Sequence, residues 1–63
     1  MIKVTRLDGR ELVINARLIK YVEKTPDTVI TLVTRDKILV KEPVEDIIEK
    51  VVRYYKSIER GID

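Results

Sequence analysis

Four carboxylates in the first two-thirds of the chain, Asp8, Glu11, Asp36 and Glu42, are of the type that performs general acid–base work. Such work needs an acid held in an apolar setting that lifts its pKa toward neutrality. Asp8 and Asp36 fall instead in turn-like segments, and Glu11 alternates outward from an extended run. Seryl and threonyl hydroxyls have no histidine to activate them, because the 63-residue chain contains neither histidine nor cysteine. The same absence removes disulfides and thiolate or imidazole metal sites. Gly9 and Gly61 are the two glycines, too distant from one another to form a phosphate cradle of the usual kind. The sequence therefore predicts no catalytic residue, no cofactor and no metal site, and a protein that is not an enzyme.

The cations allow a second kind of chemistry. Arg6, Arg10, Arg35 and Lys37, with Lys3, lie on predicted strands or adjacent turns and could line up as one basic surface. Residues 1–42 carry nine Lys/Arg against six Asp/Glu, a balance of +3, and residues 43–63 carry four against five, a balance of −1. That excess suits a solvated, edge-protecting sheet face better than a nucleic-acid surface. Phenylalanine and tryptophan are absent and only Tyr21 lies in the strand region, so the aromatic platform for stacking single-stranded bases is missing.

The elements that must carry these side chains are legible from periodicity. Ile2 to Leu7 is β-branched with partial alternation, Asp8-Gly9 supplies a hairpin turn with positive φ at its central residues, and Arg10 to Ile14 resumes the extended pattern. Strands are expected at about 2–7, 10–14, 18–24, 28–34 and 37–41. Asn15 shapes a break, with room for a helical turn at 15–18, and Thr25-Pro26-Asp27 makes the next turn. Along the third strand Ile19 and Tyr21 are expected on one face. Along the fourth, Ile30 and Leu32 oppose Thr31. Arg35-Asp36 is a tight turn without glycine, so one of the two is expected in the left-handed region.

A helix follows at about 43–60. Pro43 is expected at its first position, Glu45 and Asp46 sit near the positive end of its dipole, and Gly61 can close it. Val44, Ile48, Val51, Tyr55, Ile58 and Ile62 recur in steps of four and three, and Ile47, Val52 and Tyr54 widen the stripe to roughly 160° of the helix circumference. Val44, Ile48, Val51 and Tyr55 are expected to cover the sheet. Ile47, Val52, Tyr54, Ile58 and Ile62 exceed what one small sheet can bury and are the candidate interface. The predicted fold is one α+β domain over residues 1–63, a small five-stranded antiparallel sheet or curled barrel-like meander followed by one C-terminal helix. A chain this short buries only about 60% of its unfolded surface, and without disulfides or metals its remaining source of stability is association, so a homo-oligomer is expected. No run suits a signal peptide or approaches the roughly 18 apolar residues of a membrane span, which predicts a cytoplasmic protein without membrane insertion.

Val4-Thr5-Arg6-Leu7-Asp8-Gly9, Asn15-Ala16, Thr25-Pro26-Asp27-Thr28 and Lys41-Glu42, in that order and spacing, resemble the FlbD family, also called SwrD, over nearly the whole chain. The chain departs from that pattern at Arg35-Asp36, where relatives often carry Asn-Gly, and at Pro43, where they carry Ser or Thr. The resemblance implies a flagellar accessory protein tied to swarming and to motor power, in contact with motor or stator components at the cytoplasmic side of the motor. The five strands, the terminal helix and Val4-Thr5-Arg6 are also similar to the carbon storage regulator family of messenger-RNA binders. That family needs an arginine after its last strand, where this chain has Lys41-Glu42, and a carboxylate there repels phosphate.

Overall fold

The computed structural model describes residues 1–59, with side chains to residue 58. Gly61, expected to close the helix, and Ile62, expected at its interface, lie outside the described residues. Five strands and one long helix follow in chain order: β1 Ile2–Thr5, β2 Glu11–Ile14, β3 Ile19–Lys24, β4 Thr28–Leu32, β5 Lys37–Val40 and α1 Val44–Glu59. A short 3₁₀ turn, Ala16–Leu18, connects β2 to β3 and is capped by Asn15, whose Oδ1 accepts from the Arg17 N–H at 3.0 Å. The Thr25–Pro26 bond between β3 and β4 is cis.

The strands form two antiparallel sheets, β1–β2 and β3–β4–β5, and do not close into a barrel. A single bridge, Arg6 to Val40, stitches the sheets at one end, and the Lys41 N–H donates to the Thr5 carbonyl at 2.8 Å beside it. Ile2 and Val4 of β1 face Ile14 and Leu12 of β2 across the ladder, all four turned toward the core. Ala16, Ile30, Val40 and Ile47 complete the buried hydrophobic set from the 3₁₀ turn, β4, β5 and the helix. Burying each isoleucine or valine among them contributes about 2 kcal/mol, so a core this small leaves little margin.

Two of the three hairpins, β1–β2 and β4–β5, use a three-residue loop with one residue of positive φ. In the first, the Gly9 N–H donates to the Arg6 carbonyl and the Arg6 N–H to the Arg10 carbonyl, with Gly9 at φ 93. Asp8 is not in the left-handed region, so the turn is a type I turn closed by a bulge glycine and not the two-residue turn expected from Asp-Gly. The second repeats the pattern: the Arg35 N–H donates to the Leu32 carbonyl, the Leu32 N–H to the Asp36 carbonyl, and Arg35 takes the glycine's place at φ 75.

One strand face, that of β3, differs from expectation. A bulge at Lys20 breaks the β3–β4 register between Ile19 and Tyr21. Ile19 and Val22 therefore turn toward the core, and Tyr21 lies outside. β4, the middle strand, is covered on both faces: Thr31 is buried between exposed Tyr21 and Lys37 on the flanking strands. Among the described residues its hydroxyl has no hydrogen-bond partner.

Candidate interaction site

Of the four carboxylates singled out in sequence, Asp8 and Glu42 accept from backbone N–H groups, and Asp36 and Glu11 pair with side chains. Asp8 accepts from the Arg10 N–H at 3.0 Å and from its Nε at 2.8 Å, and the first of these bonds is the main reason its pKa is lowered. Asp36 accepts from the Thr34 hydroxyl across the second hairpin loop at 2.7 Å. Glu11 lies 3.9 Å from Lys3 on the outer face of β1–β2. Glu42 is the informative one. Its Oε1 accepts from the Thr5 N–H at 2.9 Å, beside the bridge that joins the two sheets. Burial is the largest influence on Glu42 and raises its pKa, but the Thr5 bonds, its own backbone N–H and the Lys50 charge together bring it below the ordinary value. No group of three or more metal-ligating side chains occurs among the described residues.

The basic candidates are shared between a groove and the two hairpin loops. Arg6 and Lys37 line a shallow apolar groove between β2 and β5, which Arg10 and Arg35 do not line. Arg10 is held by Asp8, and Arg35 sits at the tip of the second hairpin. In position 42, where a messenger-RNA binder of the carbon storage type would carry its second arginine nearby, the carboxylate is instead engaged at Thr5.

The helix presents the apolar surface. Pro43 is its N-cap residue and not its first helical position, since its carbonyl accepts from the Asp46 and Ile47 N–H groups. α1 packs on β1 and β3. The side it turns inward is rotated from the one expected: Ile47 is 0% exposed, and Val51 and Tyr54 pack against the core with it. Ile47 therefore cannot serve a partner, and Tyr54 and Ile58 are half-buried. Ile48 and Tyr55, expected inside, are 53% and 41% exposed, and Val52 beside them is 44% exposed. The reason is the placement of the two contacted strands. The helix centres its stripe on Ile47, Val51, Tyr54 and Ile58, and all the surplus falls on the β3 side.

A groove of about 260 Å³ runs along that side between α1 and the free edge of β3. Ile48, Val52 and Tyr55 form one wall, and Ile19 and Tyr21 form the other. Tyr21 is 53% exposed, with the Lys20 ammonium 5.3 Å from its ring centroid. The opposite flank of the helix is polar and cationic: Lys50, Arg53 and Ser57 border Met1 and Lys3. The chain thus carries one exposed apolar flank and one charged flank on the same helix.

The family model described as FlbD, flagellar and swarming motility proteins, matches residues 1–59. The chain belongs to the FlbD family. The match spans all five strands and the helix, so the apolar flank lies inside the FlbD unit. No curated protein and no solved structure matches the chain. Among the described residues, no helix is long and apolar enough to cross a membrane.

Proposed function

We propose that this FlbD protein is a non-enzymatic accessory of the flagellum that works by protein–protein contact, assembling with itself and supporting motor or stator function from the cytoplasmic side. The observation that carries this reading is the row of Ile48, Val52 and Tyr55, left exposed on a chain whose small core can ill spare them. The roles of the carboxylates support it too, since each is committed to a turn, a ladder or the seam between sheets. Membership of a flagellar and swarming motility family supports a contact within the flagellar apparatus.

The test is genetic and mechanical. Deleting the gene should reduce swarming and the torque delivered under load, measured by rotation of beads on flagellar stubs, while filaments still assemble. Unchanged torque and swarming would sink the proposal.

A further inference from the structure

We propose that the exposed flank of α1 is a two-fold interface that receives the same flank of a second copy of this chain, the two helices running antiparallel and crossing at Val52. This rests on the reading that the protein works through protein contacts, and adds the occupant, the surface and the orientation.

Three observations converge on that arrangement. Ile48, Val52 and Tyr55 are spaced by four and three residues on one side of the helix, which gives a continuous seam for a facing helix. Together with Tyr21 across the groove they leave on the order of 400 Å² of accessible, largely apolar surface, within the range of the largest patch on a monomer of ordinary size although this chain is short. That is about half of the roughly 800 Å² each partner contributes to a standard interface, and the polar rim supplies the rest.

Charge then selects both the occupant and its direction. Glu45 and Glu49 border the seam toward the start of the helix, Glu49 already ion-paired with Arg53 one turn further on, and Lys56 borders it toward the end. Antiparallel approach about Val52 sets Ile48 beside Tyr55 of the second copy and Lys56 beside its Glu49 and Glu45. Both pairings occur twice by symmetry. Parallel approach would superpose glutamate on glutamate and lysine on lysine, which costs free energy across a desolvated contact. The seam is thus complementary to itself in one orientation. Pairing through the free edge of β3 is opposed by the Lys20 bulge and by Lys20 and Lys24, so helix contact and not strand addition makes the interface.

The full chain tests this directly. Sedimentation over a broad dilution series should show a monomer–dimer equilibrium, and Val52→Glu should weaken it about tenfold or more, since each copy would bury an unpaired charge at the axis. Far-UV circular dichroism of Val52→Glu should match the parent, because Val52 is outside the core. Lys56→Glu should weaken the dimer, and Glu45→Lys combined with Lys56→Glu, which leaves the Glu49–Arg53 pair of each helix intact, should restore it. Because the chain has no cysteine, Val52→Cys should oxidise to a disulfide-linked dimer, and Val13→Cys on the outer face of β2 should not.

A parent protein that stays monomeric throughout overturns the interface, as does a dimer that survives Val52→Glu or links equally well through Val13→Cys. A monomeric parent that still restores swarming to a deletion strain removes the interface and leaves the contact function standing, and loss of swarming in Val52→Glu would then assign the seam to another protein. A dimer broken by Val52→Glu, in a species whose deletion leaves torque unchanged, removes the motor function and keeps the interface.

Discussion

Gly9 and Arg35 occupy the same place in two hairpin loops of the same build, and only one of them is a glycine. A left-handed conformation costs a residue with a Cβ about 1–2 kcal/mol, while glycine adopts it freely and loses more entropy on folding. Arg35→Gly should therefore stabilise the protein by about 0.5–1 kcal/mol, and Gly9→Ala should destabilise it by about 1 kcal/mol. An alanine Cβ at Gly9 would meet nothing within 4 Å, so that loss would come from backbone strain alone. Urea midpoints at unchanged m-value measure both, and a destabilised Arg35→Gly would show that the arginine side chain holds its loop. The strain at Arg35 was legible in sequence, as a tight turn without its glycine. Glu42 was not, because its partner Thr5 is 37 positions away. Its folded pKa lies below the unfolded value near 4.5, so its stabilisation is present above that pH and lost as pH falls through the folded pKa. Glu42→Gln should lower stability at neutral pH by about 1 kcal/mol and flatten the acid limb of the stability–pH curve. An acid limb identical to the parent's would mean the Thr5 bond contributes nothing. Asp8, whose pKa is lowered chiefly by the Arg10 N–H, acts in the same direction from an exposed position.

For the strands and the helix, periodicity fixes type and length far better than it fixes rotation. Alternation placed all five strands to within about two residues, and the four-and-three pattern placed the start of α1 as closely. Neither said where the neighbours would stand. On β3 the bulge at Lys20 reverses the faces of the residues around it, and no residue type there announces it. On α1 the width of the apolar stripe was readable, but its centre depended on β1 and β3, whose relative placement is a tertiary fact. The rotation makes a sharp contrast between adjacent residues. Ile47→Ala should cost about 2–4 kcal/mol, a large share of a small domain's stability, whereas Ile48→Ala should change the isolated monomer by about 0.5 kcal/mol or less. Chemical denaturation at low protein concentration checks this, and equal losses at both sites would return Ile48 to the core.

As a whole molecule, the chain is two local units sharing one helix: a hairpin, and a three-stranded meander. Both units pair neighbours in sequence, so their ladders close over short loops and form early and fast. The seam between them is different in kind. Thr5 meets Lys41 and Glu42 only after the intervening chain has been gathered, a closure whose entropy is about 3 kcal/mol for a loop of that length. Such a contact belongs late on the folding path, when most of the structure that encloses it already exists. Glu42→Gln should then leave the refolding rate nearly unchanged and place its effect on unfolding, read as a shift of the unfolding arm of the chevron alone. A slowed refolding arm would instead make the seam part of the nucleus. On this view the Glu42–Thr5 bond acts as a latch. It adds little to how quickly the protein forms, and it sets how long a small protein, once formed, stays shut.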